Sequence, residues 1–210
     1  MPRQVDHGQR RREIAEAVCS LVSARGLEAV SLRDVAAEAG ISMGRVQHYF
    51  RTKDEMLLFA LEYVGGRDVA GVREALAGLP DHPEPRAVVR TVLAGLLGGA
   101  PEQLEAQRVS AAFQARALVE PRLAESLLRG YTGIQALLED VVRRGVASGA
   151  AVEGTDPETA ATAVLALVDG LRAQTLLGHG TRERALAVLD DHLDRLFPGS
   201  RGAGDVVAHE

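Results

Sequence analysis

The sequence lacks the residues on which several kinds of protein depend. Its 210 residues contain no tryptophan and a single cysteine, and aromatic residues make up 3% of the chain. One cysteine, Cys19, excludes an internal disulfide and cannot supply a CxxC zinc motif. Because its neighbours Val18 and Leu21 are apolar, we expect a core thiol in a reducing compartment.

Long hydrophobic runs are missing as well. No apolar stretch approaches the ~20 residues that a membrane-spanning helix needs, and the basic residues at the start are followed by no apolar segment, so we expect no signal peptide. These absences predict a cytoplasmic protein with no membrane partner. The motifs of phosphate-binding loops, serine hydrolases, zinc proteases and dinucleotide-binding loops are absent too. We therefore expect neither an enzyme nor a bound cofactor.

One short stretch has the side chains of a metal site but not its geometry. Asp190, Asp191, His192 and Asp194 follow one another on a predicted helix. Neighbouring residues in a helix point about 100° apart, so these side chains are not expected to converge on one ion. We expect a solvated helix face there and no metal site.

What the sequence does have is helical periodicity from end to end. Hydrophobic residues make up 46% of the chain, enough for a substantial core, and they recur at helical spacing. We predict an all-α protein of about nine helices without strands. The glycine and proline breaks divide it into a three-helix head at residues 1–53, a six-helix body at 54–197 and a disordered tail at 198–210.

The segment at residues 31–50 predicts a helix-turn-helix. Ser31 and Asp34 form a capping-box pattern at the start of a short helix. Ala36 is small enough to lie where two helices cross, and Gly40 tolerates the left-handed geometry of the turn between them. Further apolar residues at matching spacing complete the packed face: Val35, Ala39, Ile41, Val46 and Phe50.

The second helix of this motif carries hydrogen-bonding side chains on the face opposite Val46. A helix that enters the major groove of DNA needs such side chains, and an arginine can bond two acceptors of one guanine. We therefore expect base contacts from Gly44, Arg45, Gln47 and His48. We expect phosphate contacts from residues that flank this face: Ser31, Arg33, Ser42, Tyr49 and Lys53.

The charge distribution agrees with a DNA-binding head. The whole chain has a net charge of −5, whereas its first 53 residues carry nine lysines and arginines against six aspartates and glutamates. A local basic excess attracts a polyanion even when the whole chain is acidic. The alternative function is that of a helical small-molecule-binding or enzymatic protein with a vestigial head, which would have no reason to keep this excess.

The run that begins at Ser31 resembles the DNA-binding domain of the tetracycline-repressor (TetR) family, most specifically in its ending Tyr49-Phe-x-x-Lys-x-x-Met-Leu. The body is similar to the betaine-biosynthesis-repressor-like branch in Phe113-Gln-Ala-Arg-Ala-Leu-Val-Glu-Pro-Arg-Leu and Leu167-Val-Asp-Gly-Leu. Gln47 and Met43 depart from the family's pattern, where an aromatic residue and a lysine are frequent, which implies fewer phosphate contacts here. No betaine or choline ligand is inferred.

The resemblance implies a homodimeric transcriptional regulator on double-stranded DNA, expected to be a repressor that an unidentified small-molecule effector releases from a palindromic operator. The last two helices would pair in the dimer through Leu165, Leu176, Leu186, Leu189 and Leu193. Candidate effector contacts are Phe113, Arg116, Tyr131, Gln135, Asp169 and Arg172. Two alternatives stay open: Asp169 and Arg172 as an ion pair within one helix, and Phe113 and Tyr131 as core residues.

Overall fold

The computed structural model describes residues 7–98 and 101–199. These residues form nine α-helices and no strand, which confirms the all-α prediction. Residues 1–6 of the predicted head and residues 200–210 of the predicted tail lie outside the described residues. The helices are α1 (His7–Arg25), α2 (Leu32–Glu38), α3 (Met43–Tyr49), α4 (Lys53–Ala77), α5 (Pro85–Leu97), α6 (Pro101–Ala117), α7 (Pro121–Ala147), α8 (Pro157–Leu176) and α9 (Arg182–Leu196).

Side chains cap several helices where the sequence places a short polar residue. Ser31 and Asp34 form the predicted capping box at the start of α2, and the hydrogen bond from the Ser31 side chain lowers the pKa of Asp34. The N–H of Thr159 donates to Asp156 at 2.8 Å before α8, and the N–H of Arg184 donates to Thr181 at 3.3 Å before α9. These bonds satisfy N–H groups that a helix start leaves without partners.

Gly40 makes the turn between α2 and α3. Its φ of 64° lies in the left-handed region that side chains with a Cβ rarely adopt. The turn closes with hydrogen bonds from the N–H of Gly40 to the carbonyl of Ala37 at 3.2 Å and from the N–H of Ile41 to the carbonyl of Ala36 at 2.9 Å. Two short helices therefore follow each other across a tight turn, as the sequence predicts.

By their packing, the described residues divide into two compact units, and the first comprises residues 7–67 and 101–130. Its described part contains α1, α2, α3, the first part of α4, α6 and the start of α7. Cys19 is half-buried against its core, and burial raises the pKa of this thiol to about 12. Other core side chains of this unit include Ile14, Val18, Val35, Val46, Phe50, Met56, Val109 and Phe113.

The described part of the second unit comprises residues 68–98 and 131–199, with α5, α8, α9 and the remaining parts of α4 and α7. Side chains from α5, α7, α8 and α9 fill its core, among them Val92, Leu93, Leu138, Val142, Val164, Leu189, Leu193 and Phe197. Gly145 on α7 lies so close to Phe197 that a Cβ there would be 2.9 Å from its ring. The core of this unit is therefore closely packed around Phe197.

Four charged side chains connect α5 to α9 in the second unit. Arg86 reaches Asp194 at 2.8 Å and Asp190 at 3.2 Å, and Arg90 reaches Asp190 at 2.7 Å. The expectation of a solvated face is therefore wrong for Asp190 and Asp194, because their partners lie about a hundred positions earlier in the chain. Asp191 pairs with Arg195 on the same helix.

The two packing units do not follow the predicted boundary at residues 53 and 54, since α4 contributes to both. That boundary separates a DNA-binding function from an effector-binding function, and it stays a prediction. Within residues 7–98 and 101–199, no helix combines the length and the apolar character of a membrane span.

Gly40 and Gly44 form a matched pair for testing the turn, because a Cβ added at either position meets nothing within 4 Å. Gly40→Ala is expected to lower the free energy of unfolding by roughly 1 kcal/mol, since alanine resists a positive φ. Gly44→Ala lies in α3 and is expected to raise it by up to about 1 kcal/mol. Chemical unfolding measures the free energy of unfolding of both variants. If the two substitutions changed it equally, the requirement for glycine at position 40 would be contradicted.

Candidate nucleic-acid interface

α3 presents a largely polar face because Val46 and the following Phe50 pack in the core, and the apolar side chain of Met43 at its start is 44% exposed. Val46 and Phe50 are both 0% exposed, whereas Gly44, Arg45 and His48 are exposed on the other side. Gln47 is exposed as well. The orientation predicted for these four residues is thus present in the structure, and their contacts with bases stay a prediction.

The two serines predicted to meet phosphate differ in how free their hydroxyls are. Ser31 accepts the N–H of Asp34 at 3.2 Å and also donates its own proton to the Asp34 carboxylate. Ser42 accepts the N–H of Arg45 at 3.2 Å, and its proton has no acceptor among the described residues. Ser42 is therefore better prepared to donate to a phosphate oxygen than Ser31 is.

The cationic candidates also differ in their surroundings. Arg33 on α2 is exposed. Lys53 is half-buried at the start of α4, and its Nζ donates to the carbonyl of Glu28 at 3.4 Å. This hydrogen bond already restricts the conformations of the Lys53 side chain. A phosphate contact by Lys53 therefore costs less side-chain conformational entropy.

The N-terminal turn of α1 packs on the end of α3, which the sequence did not indicate. The His7 ring lies 4.7 Å from the Tyr49 ring between centroids, and the His48 ring lies 5.2 Å from the Tyr49 ring. His7 is 41 positions before His48, so no local pattern could have connected them. Tyr49, a predicted phosphate contact, is thus half-buried between two histidine rings.

A cavity of about 250 Å³ lies inside the first unit, near the start of α4 and the end of α6. Of the predicted effector contacts, only Arg116 lines it. Arg116 is paired with Glu28 at 3.1 Å, and Phe113 is 0% exposed in the core of this unit. This burial agrees with the core alternative for Phe113, and effector contact by Phe113 and Arg116 stays a prediction.

The remaining effector candidates lie in the second unit, and three of them bond to one another. The Tyr131 hydroxyl donates to Asp169 at 2.8 Å, and Arg172 pairs with Asp169 at 2.8 Å. Burial, followed by the hydrogen bond to Asp169, raises the pKa of Tyr131 to about 12. The alternative that Asp169 and Arg172 form an ion pair within one helix is confirmed. The fourth candidate, Gln135, donates to Glu139 at 2.9 Å. Effector contact by these side chains stays a prediction.

The leucines predicted at the dimer interface are used mainly inside the chain. Leu189 and Leu193 are 0% exposed, and Leu165 is 8% exposed. These three side chains pack in the core of the second unit and leave little surface for a partner. Leu176 and Leu186 are half-buried.

Two family models match the chain. The model of bacterial regulatory proteins, tetR family, matches residues 14–59, and that of the BetI-type transcriptional repressor, C-terminal, matches residues 85–198. A relative, the HTH-type transcriptional regulator PksA of Bacillus subtilis, is 30% identical over 204 residues, which cover 93% of this chain and 94% of PksA. The HTH-type transcriptional regulator BetI of Pectobacterium carotovorum is 26% identical, covering 89% of this chain and 93% of BetI.

Solved structures share the fold. A transcriptional regulator from Rhodococcus sp. Rha1 is 30% identical with a TM-score of 0.79, covering 94% of this chain and 99% of that one. A regulator from Saccharomonospora viridis in complex with choline has a TM-score of 0.80 at 22% identity, covering 89% and 96%. The relatives named here are transcriptional regulators, which favours that function over the alternative of an enzyme with a vestigial head.

The Tyr131–Asp169 bond predicts a specific alkaline titration. A raised pKa favours the neutral phenol in the folded protein, so its contribution to stability is complete below the ordinary pKa of 10.0 and is lost as the pH rises through about 12. In an absorbance titration of tyrosinate, Tyr131→Phe is expected to remove the step near pH 12. Asp169→Asn is expected to move this step towards pH 10. A step that persists near pH 12 in Tyr131→Phe would contradict the assignment.

Proposed function

This chain belongs to the tetR family of bacterial regulatory proteins and is a DNA-binding transcriptional regulator, and from that premise we propose that it is a repressor that reads a palindromic operator with α3. The observation that carries the proposal is the exposed polar face of a helix whose opposite face is completely buried. Such a helix is fixed to its unit and still able to enter a groove.

Arg45 is the residue that we propose to read a base most specifically. It lies near the start of α3, where recognition helices meet base edges, and its guanidinium can bond both O6 and N7 of a guanine. Gln47 and His48 reach neighbouring positions, and Gly44 lets the helix backbone approach the DNA closely because a Cβ is absent there.

The phosphate contacts that we propose surround this face. Ser42 donates its hydroxyl, Arg33 and Lys53 supply positive charge, and Tyr49 offers a phenol beside His48. Ser31 contributes less, because its hydroxyl is already bonded to Asp34 in both directions. Contacts of this kind fix the register of the protein on DNA without reading its sequence.

We propose that the dimer forms through the exposed side of α8 and not through the buried residues Leu165, Leu189 and Leu193. On that side, exposed small or apolar residues recur at intervals of three and four: Ala163, Ala166, Gly170, Ala173 and Leu177. This spacing is the pattern of two helices packed along a seam, and small residues let the helices approach closely. Leu177 is 84% exposed in the single chain, a large apolar surface that a partner would cover.

A small-molecule effector is proposed to act through the second unit. Tyr131 on α7 and Asp169 and Arg172 on α8 form one group of bonded polar side chains, and the solved Saccharomonospora viridis regulator of this fold is a complex with choline. The effector of this chain would favour an arrangement of the two heads that no longer matches adjacent major grooves.

Repression of transcription also requires contact with the chromosome, which is consistent with a cytoplasmic location.

Arg45→Ala tests the assignment of α3. With a duplex selected from random sequence by the wild-type chain, the variant is expected to lose about 1–3 kcal/mol of binding free energy and to relax specificity at one base pair. Arg73→Ala removes the same charge from an exposed position of α4 in the second unit, which contains none of the residues proposed to contact DNA, and serves as the matched control. Fluorescence anisotropy over a salt series measures both variants.

Arg33→Ala provides the contrast within that series. It is expected to weaken binding to all duplexes alike and to reduce the slope of log K against log salt by about 1. If Arg45→Ala bound the selected duplex as well as Arg73→Ala does, α3 would not be the reading helix.

Ala166→Glu tests the dimer face. A glutamate on the proposed seam would place two like charges across the two-fold axis, so we expect dissociation into folded monomers and at least about tenfold weaker binding to a palindromic duplex. Ala75→Glu on the exposed side of α4 is the matched control. Sedimentation measures the mass of each variant, and a dimeric Ala166→Glu would contradict this face.

A further inference from the structure

We propose that Arg11 on α1 is a positioning residue that holds the end of α3 against α4 through the rings of Phe50 and Phe59. The inference rests on the proposed role of α3 in reading DNA. It concerns a residue before position 14, where the match to the family model begins, and a set of contacts inside the first unit.

The geometry around the guanidinium is specific. Its Cζ lies 4.7 Å from the centroid of the Phe50 ring and 4.3 Å from that of the Phe59 ring. The two rings lie 5.4 Å apart with planes tilted by 47°. Both distances are well within the ~6 Å over which a cation is attracted to the face of an aromatic ring. Because a guanidinium is planar, it can stack on a ring in a way that an ammonium cannot.

The charge of Arg11 has no partner of opposite sign among the described residues. Its Nε, like that of Arg10, is buried and has no hydrogen-bond partner among the residues that the structure describes. Arg10, the preceding residue, shows the ordinary arrangement, since it pairs with Glu13 on the same helix. Removing a cation from water is costly unless other interactions compensate. The two ring faces are the compensation that this structure offers.

The position of these rings makes the contact relevant to DNA reading. Phe50 caps the C-terminal end of α3, where its N–H donates to the carbonyl of Val46 at 2.9 Å. Phe59 lies on α4. One side chain from α1 therefore touches both the end of the reading helix and the helix that follows it.

A neighbouring contact acts in the same direction. His7 is one helical turn before Arg11, on the same face of α1, and its ring packs on Tyr49. The Ser42 cap fixes the opposite end of α3. A functional helix must be held to within about 0.5 Å to keep its contacts, and α3 is held at one end by its cap and at the other by this face of α1.

Arg11→Met tests the proposal, because methionine keeps an unbranched side chain and removes the planar cation. With a duplex selected from random sequence by the wild-type chain, we expect about tenfold weaker binding and a smaller ratio of selected to random-duplex affinity. Arg12→Met, an exposed neighbour with the same loss of charge, is expected to stay within about threefold of wild type. A purely structural role would lower the midpoint of unfolding and leave the affinity ratio unchanged.

A double-mutant cycle with Phe59→Leu separates a ring-mediated effect from a general one. If Arg11 acts through the rings, the effects of Arg11→Met and Phe59→Leu on duplex affinity are not additive. Should Arg11→Met fail to fold, Arg11→Lys keeps the charge without the planar group and is expected to lose about threefold or more.

Two results would overturn the proposal: Arg11→Met binding within threefold of Arg12→Met while folded, or additive effects in the cycle. Failure of the proposed function is recognised separately, because Arg45→Ala would then keep its affinity whatever Arg11 does.

Discussion

The burial of Val46 and Phe50 is the constraint on which the DNA-binding part of this protein depends. α3 has seven residues, fewer than the ~12–15 that an isolated helix needs to be even marginally stable in water. It exists because these two side chains are completely buried, one helical turn apart, and because Ser42 caps its start. Because these two side chains fix one side of α3 in the core, the positions on its opposite side remain exposed and available to a ligand.

An uneven distribution of charge explains how a chain with a net charge of −5 can bind a polyanion. The excess of acidic residues lies outside the first 53 residues, and part of it is used for internal pairing, as with Asp190 and Asp194. Long-range attraction to DNA needs positive potential on one surface only. The net charge of a whole chain is a poor guide to its partners when charge is distributed so unevenly.

The sequence predicted what local chemistry determines. The capping box at Ser31 and the turn at Gly40 each depend on residues within four positions of one another. It did not predict contacts between distant positions, such as Arg11 with Phe59 or Arg86 with Asp194. Helical periodicity indicates that one face of α9 is buried, but it does not show whether the same chain or a partner chain buries that face. Leu189 and Leu193 belong to their own core.

The four-residue ion-pair cluster between α5 and α9 also affects how the protein responds to its surroundings. Arg86, Asp190 and Asp194 are each between 22% and 31% exposed, so dissolved salt screens their attraction less than it screens contacts at an open surface. DNA contacts made by exposed cations weaken steeply as salt rises. A rise in ionic strength is therefore expected to weaken DNA binding at a lower salt concentration than it weakens the ion pairs that connect α5 to α9.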